Sequence, residues 1–481
     1  MSFNANILNP IFSHLYSLDN AFFIAGTYYT YRQFSERISA IRGVIRSAEL
    51  DEPIWALHLH DDLNTYATIF ALWMEGKAYV PLHPSWPKER LDSIVEQIGC
   101  HNHLDSCDAP YTEDLLDDWK EVGEDALAYI LFTSGSTGVP KGVPLSRKNL
   151  SAFVNAFWKE GYQVMPKDRC MQCFDLTFDL SIISYLIPLL KGACVYTLPY
   201  GGIKYMQIVK LLSQQRITCS LMTPSTIQHL QPYFNELEFL DMRYSLFCGE
   251  ALPTKAALGW AKCVPNAEIY NVYGPTEDTI FCTTYKLNRE GDNIDHNGVL
   301  SIGKSMPSGK IIIVDDNNQE VSGEAIGELC LSGDQLTTGY WNNPEKNKEV
   351  FWYAADGTRY YRSGDLCYYG ADRNILFVGR KDSQVKIQGY RIELGEIECH
   401  IRDFFKSEKR IVVMAVDLDG QMQIVLFVES EPIDTKELMA YLNSKMPSYM
   451  IPSKIVCEPS FPMNNSSKID RPALKQKLLT K

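Results

Sequence analysis

A strand-like Ala128-Tyr129-Ile130 runs into Leu131-Phe132-Thr133-Ser134-Gly135-Ser136-Thr137-Gly138-Val139-Pro140-Lys141-Gly142. Three glycines, four hydroxyls and one lysine crowd into its last ten residues. That is the composition of a loop that holds phosphate. Glycines let the backbone bend until successive N–H groups face one anion, hydroxyls add donors, and the lysine adds charge. The loop is not of the Walker type, in which the lysine directly follows the second glycine and Ser or Thr comes next; here Gly142 follows Lys141. A flexible Gly/Ser linker has a similar composition, but the preceding strand and the Pro140-Lys141-Gly142 exit speak against it. Two other groupings invite a metal reading. Cys170-Met171-Gln172-Cys173 is a lone CxxC without a second pair or a histidine cluster, and reads as two packed thiols. His58-Leu59-His60 before Asp61 and Asp62 reads as a strand end entering a polar turn.

These residues need elements to hold them. Short β-rich runs (78–83, 128–133, 193–198, 267–273) alternate with helix-period segments such as 91–98 and the stretch after Ser146. This alternation predicts α/β layering with helices covering sheets. From Ser301 to about Gly379 the texture changes to strand–turn–strand units, predicting a β-rich subdomain. A polar segment at Gly379-Arg380-Lys381-Asp382-Ser383 marks a boundary, and the remaining hundred or so residues suffice for a small α+β domain.

At 481 residues the chain calls for two or more domains. Its 46 basic and 59 acidic residues give a net charge of -13. Such a surface repels phosphate backbones and anionic lipid, which argues against nucleic-acid and membrane-surface partners. Any phosphate must be held locally. The N-terminus lacks the basic start and apolar run of a signal peptide. The longest apolar stretch, 180–190, is broken by Ser181, Ser184 and Pro188 and is too short to span a bilayer. Thirteen cysteines scattered mostly singly indicate reduced thiols, and so a cytoplasmic protein.

The glycine-rich loop resembles the phosphate loop of the adenylate-forming superfamily. That group includes adenylation domains of nonribosomal peptide synthetases, D-alanine–carrier-protein ligases, acyl-CoA synthetases and luciferases. The resemblance continues in order along the chain: Tyr31 and Phe34; Gly76 to Leu82 with Pro87; Phe178-Asp179-Leu180-Ser181; and Asn271-Val272-Tyr273-Gly274-Pro275-Thr276-Glu277. Gly327-Glu328-Leu329, Gly339-Tyr340, Tyr361-Arg362-Ser363-Gly364-Asp365 and Gly379-Arg380-Lys381-Asp382 follow. The series closes with Lys386-Ile387-Gln388-Gly389-Tyr390-Arg391-Ile392-Glu393 and Lys468-Ile469-Asp470-Arg471. One match is weak evidence; ten in order are specific.

The resemblance implies a large N-terminal domain of layered α/β sheets with a β-rich subdomain (1–380). A small mobile α+β domain (381–481) would turn at a hinge near Asp382. ATP would lie on Thr133, Ser134, Gly135, Ser136, Thr137 and Gly138, with Lys141 beside it. Tyr273 would stack on adenine, with Gly249 and Asn271 at its polar edge and Gly274 and Thr276 adjoining. Glu277 would hold Mg²⁺, Asp365 the ribose hydroxyls, and Arg380 the ribose or phosphate oxygens. Lys468 would stabilise charge as the substrate carboxylate attacks and pyrophosphate leaves. In the second orientation the segment near Gly389 would admit a thiol. Ser466 and Ser467 stand where family members commonly carry a glycine before this lysine.

In amino-acid-activating members an aspartate at the place of Asp179 pairs with the substrate ammonium, whereas acyl- and aryl-acid enzymes need none. Asp175 offers the same Phe-Asp pair; Ser181, completing Phe-Asp-x-Ser, favours Asp179, and a helix N-cap is the structural alternative. By the same carry-over, Leu180, Ile183, Leu221, Leu246, Cys248, Val272, Ile280 and Phe281 would wall the pocket. All are apolar, which predicts a small-to-medium apolar amino acid. Cys248 resembles a cysteine of D-alanine–carrier-protein ligases and keeps D-alanine open. The sequence ends soon after Lys468, which leads to the expectation of a separate phosphopantetheinylated carrier protein. Two rival readings are an acyl- or aryl-CoA ligase and a silent nucleotide-binding homologue.

Overall fold

Two helices set the layering of the first half. Leu63–Met74 and Asp179–Leu189 are buried at almost every position. A helix that is apolar all round has no face to offer water and must be packed on every side. Both belong to one apolar cluster that also takes residues from helices Tyr31–Arg46 and Arg147–Lys159 and from two separate sheets. Capping fixes where these helices begin. Thr30 and Ser146 each form a reciprocal capping box, with Gln33 and Asn149. Asp62 accepts from the Thr65 N–H and starts Leu63–Met74. The predicted strand end at His58 and polar turn are therefore present, and the turn is a helix cap.

The computed structural model describes residues 2–105, 112–135, 138–307, 309–406, 409–418, 420–463 and 469–479. It divides into two compact units. The first comprises Met1–Pro84, Ile98–Phe132 and Gly142–Lys381. The second gathers Ser85–Gln97, Thr133–Lys141 and Asp382–Lys481.

The first unit contains a nine-stranded sheet. Glu268–Tyr273, Tyr244–Phe247, Cys219–Met222, Arg169–Gln172, Cys194–Thr197 and Asn20–Ile24 lie side by side in that order, all parallel. Antiparallel strands finish both edges. A five-stranded sheet is built around the parallel strands Ile54–His58, Ala78–Leu82 and Leu127–Thr133. Helices Lys204–Gln214, Pro224–Leu230 and Thr254–Cys263 contribute to a second apolar cluster of the larger sheet. The predicted β-rich region is an antiparallel sheet of Gly309–Val314, Gly327–Gly333, Arg359–Tyr369, Phe351–Tyr353 and Ile375–Arg380. The mixed α/β class expected from the alternation of runs holds.

In the second unit, Ile411–Leu418, Gln421–Glu429 and Lys454–Glu458 form a three-stranded sheet. Helices Leu394–Phe404 and Lys436–Lys445 supply Ile397, Ile401, Leu438 and Leu442 to its core. The hairpin Gln384–Ile387 with Tyr390–Glu393 turns at Gln388 (φ 52°) and Gly389 (φ 83°). None of the described cysteines, Cys170 and Cys173 among them, is in a disulfide. Among the described residues no helix is long and apolar enough to cross a membrane.

Candidate active site

Ligands of open parallel sheets bind beyond the carboxyl ends of the strands. Here those ends are in step: Met222 pairs with Phe247, and Phe247 with Asn271. One residue earlier, Leu221 pairs with Leu246. Side chains alternate along a strand, so this register sets Leu221, Leu246, Cys248 and Val272 on one face. Leu180 and Ile183 come from the helix in the same apolar cluster, and Ile280 and Phe281 from the loop after the last parallel strand. The eight wall residues named from the sequence therefore share one cluster.

Asp179 opens the buried helix and is 6% exposed. The N-cap is Phe178, which makes no side-chain cap bond. Asp179 is therefore not the N-cap aspartate that was the structural alternative. Asp175 is engaged elsewhere: its carboxylate accepts from the N–H and hydroxyl of Thr177, both at 2.9 Å, and faces His83 Nε2 at 3.1 Å. Burial raises the Tyr129 phenol well above its usual range, and the charge of Asp179 adds to the effect.

Thr279 (φ 50°) and Ile280 (φ 75°) occupy left-handed conformations that β-branched residues seldom adopt. Such strain persists only where the surroundings over-determine it. Gln335 supplies the constraint: its side-chain amide donates to the Asp278 carbonyl at 3.1 Å and the Phe281 carbonyl at 3.0 Å. In addition, Thr279 Oγ1 donates to the Gln335 carbonyl at 2.5 Å. Gly274 admits the loop. A Cβ there would meet Phe281 Cα at 2.3 Å. Gly274→Ala is expected to cost about 1–3 kcal/mol by overpacking, read as a lower Tm. An unchanged Tm would mean the loop can yield.

Next to this loop lie the polar residues. Glu277 is fully buried, takes the Tyr340 hydroxyl at 2.5 Å, and offers its carbonyl to the Thr337 N–H at 2.8 Å. Burial pushes the neighbouring Asp278 carboxyl up to about 7; a bond from Cys282 opposes this and the charge of Glu277 adds to it. Asp365 accepts from the Tyr273 hydroxyl and, on its other oxygen, from Arg380 Nη1 at 2.9 Å. The side-chain amide of Asn271 donates to Ser301 O at 2.9 Å. Gly249 has φ 92°, and Thr276 begins the one-turn helix Thr276–Asp278.

Within the second unit, the glycine-rich loop closes on itself and on the start of Leu394–Phe404. Gly138 N–H donates to Gly135 O at 3.1 Å, and a Cβ on Gly135 would fall 2.0 Å from Val139 O. The Gly135 N–H donates to Glu396 Oε2 at 2.9 Å, and Arg90 holds the other oxygen at 2.8 Å. Lys141 Nζ stands 3.3 Å from Glu393, and Ser134 Oγ donates to Arg391 O at 2.8 Å. Two of the loop's donors, the Gly135 N–H and Lys141 Nζ, thus face carboxylates, anionic oxygens like those a phosphate presents. Thr133 Oγ1 reaches Lys141 O at 3.5 Å, and Asp382 Oδ1 accepts from the Gln384 N–H at 3.1 Å. Ser136, Thr137 and Lys468 lie outside the described residues.

Sequence reasoning gave no role to Arg90, Glu396, Gln335 or Tyr340. Only Tyr340 carried a signal, as part of the Gly339-Tyr340 match.

A model of the family described as AMP-binding enzyme matches residues 16–341. The chain is 30% identical to the D-alanine--D-alanyl carrier protein ligase of Lacticaseibacillus casei (strain BL23), over 93% of this chain and 94% of that protein. It is 31% identical to tyrocidine synthase 3 of Brevibacillus parabrevis over 93% of its own length, but spans only 7% of that much longer protein. The Vibrio cholerae adenylation domain AlmE, solved in complex with glycyl-adenosine-5'-phosphate, superposes with a TM-score of 0.87 at 24% identity, covering 100% of this chain and 98% of that one. An artificially fused adenylation–PCP di-domain, NpsA-ThdA from Klebsiella oxytoca, gives 0.82 at 21% identity, covering 93% of each chain. The fold is that of adenylation domains, and the chain belongs to the family of AMP-binding enzymes. That membership makes it an ATP-using ligase of the adenylate-forming kind.

Proposed function

We propose that this enzyme activates an apolar, small-to-medium amino acid with ATP and passes the aminoacyl group to the phosphopantetheine thiol of a separate carrier protein in the cytoplasm. Asp179 carries this reading. It is a buried carboxylate at the head of an apolar helix, beside an apolar wall. A cation placed beside a carboxylate in such a place is attracted strongly, because the local dielectric is low. The substrate ammonium is that cation, and a fatty or aryl acid has none to offer.

In the first step a carboxylate oxygen bonds to the α-phosphorus as its bond to the bridging oxygen breaks and pyrophosphate departs. In the second, the carrier's thiolate sulfur bonds to the acyl carbon and AMP leaves with its oxygen; the thiol proton goes to water. Lys468 and Lys141 offset charge on the phosphate oxygens, together with N–H groups and hydroxyls of 133–138. Asp365 and Arg380 hold the ribose, and Tyr273 with Gly249, Asn271, Gly274 and Thr276 borders the adenine. Asp382 is the hinge at which residues 381–481 turn.

Glu277 fits Mg²⁺ as one anionic oxygen ligand oriented by Tyr340. Among the described residues no cluster of three or more His, Cys, Asp or Glu could hold a metal unaided. Held there by Glu277, Mg²⁺ would neutralise phosphate charge.

D-alanine is the alternative substrate, favoured by Cys248 and by the likeness to the D-alanine--D-alanyl carrier protein ligase. ATP–pyrophosphate exchange across a panel of amino, fatty and aryl acids tests the reading. Exchange is expected with apolar amino acids alone. Exchange driven only by fatty or aryl acids would overturn it in favour of a CoA ligase.

A further inference from the structure

Behind part of the apolar wall lies a cavity of about 60 Å³. Its lining includes Ile183, Leu221 and Leu246, three of the eight wall residues, and otherwise consists of side chains that the family resemblance does not assign. On the sheet side it runs from the Leu221–Leu246 pair back to the Cys219–Tyr244 pair, the first residues of their strands. Two residues of strand make that distance about 7 Å. On the helix side it follows Ile183 and Ile187, one and two turns beyond Asp179. Residues four apart share a helix face, and two turns span about 11–12 Å. Tyr162 stacks on Phe157 at 4.5 Å and, with half-buried Tyr244, lines the far end. A recess of this apolar lining, continuous with three wall residues, suits an apolar group.

Resting on the amino-acid reading, we infer that the cavity takes the end of an elongated, unbranched apolar side chain, one of methionine or norleucine length, in preference to alanine or glycine. The ammonium group stays at Asp179, and a chain of about four carbons is what it takes to pass Ile183 one helical turn away. Shorter side chains leave the cavity empty.

Exchange is measured with 2-aminoalkanoic acids bearing side chains of one to six carbons. The wild type is expected to gain about fourfold in kcat/KM per methylene up to four carbons. Ser184 lines the cavity and its Oγ donates to the Leu180 carbonyl at 2.8 Å, outside the proposed machinery. Ser184→Leu fills the space and is expected to lower kcat/KM for norleucine at least tenfold while leaving alanine within twofold. Cys219→Ala enlarges the far end and moves the preference one carbon longer; it decides the matter if Ser184→Leu does not fold. A wild-type preference for alanine, or equal losses for every substrate in both variants, would overturn the inference and leave amino-acid activation standing. No exchange with any amino acid would remove both.

Discussion

Replacing Asp179 with alanine is expected to lower amino-acid-dependent exchange by about 30- to several-thousand-fold while leaving AMP binding unchanged. The size follows from the cost of removing one partner of a buried charge pair, about 2–5 kcal/mol, at 1.36 kcal/mol per tenfold in rate. The direction follows from where Asp179 sits: it is 6% exposed, opens a helix with no other charge, and is not the helix cap. Asp179→Asn separates the two roles a carboxylate can have there. An amide fills the same space and hydrogen-bonds but does not neutralise an ammonium, so it should fail nearly as badly as alanine. Asp175→Asn, which touches a carboxylate already engaged by Thr177 and His83, should be milder. Full exchange by Asp179→Asn, measured with the substrate that serves the wild type, would reassign Asp179 to packing.

Lys468→Ala should cost about 10²–10³-fold in adenylate formation, the loss typical of removing one group aimed at charge that develops in the transition state. The described residues nearest to it are bonded to one another. Met463 pairs with Ile469, and the Asp470 N–H donates to Pro462 O at 2.8 Å. Asp470 also caps the helix Arg471–Leu479 by accepting from the Ala473 N–H at 3.0 Å. Alanine removes the cation without touching these bonds, so folding should be kept and Tm unchanged. Transfer from a preformed adenylate to the carrier thiol should fall far less, because the lysine is proposed for the first step. Equal loss in both half-reactions, or none in the first, would show that another cation does this work.

What the sequence revealed depended on how far apart the interacting residues lie. The stretch 180–190 was legible as the longest apolar run, a property of the segment alone, and it lies in the buried helix Asp179–Leu189. The strands were legible as short β-rich runs, but their partners were not. Nothing local says that Asn20–Ile24 joins the large sheet beside Cys194–Thr197, since that pairing is a contact across more than 170 residues. The apolar wall needed both levels. The family resemblance named eight residues, and strand register explains why Leu221, Leu246, Cys248 and Val272 share a face. The choice between Asp175 and Asp179 rested in sequence on one serine; in the structure Asp175 is bonded to Thr177 and faces His83, and Asp179 remains the proposed partner of the substrate.

Least legible were the supports. Gln335 holds a strained loop more than 50 residues away, and Arg90 reaches Glu396 across 306 positions. Each is an ordinary polar residue until its partner is known. The glycine-rich loop is the instructive case. Its composition announces an anion, and in the structure the anions it meets are Glu396 and Glu393.

The most direct trial of the account is chemical trapping of the acyl–phosphate anhydride. Enzyme, ATP, Mg²⁺ and an apolar amino acid are mixed with hydroxylamine, and aminoacyl hydroxamate, AMP and pyrophosphate are quantified together. Equal amounts of all three, appearing only when an amino acid is present, are the expected result. ADP with inorganic phosphate, or hydroxamate from fatty or aryl acids but from no amino acid, would contradict it.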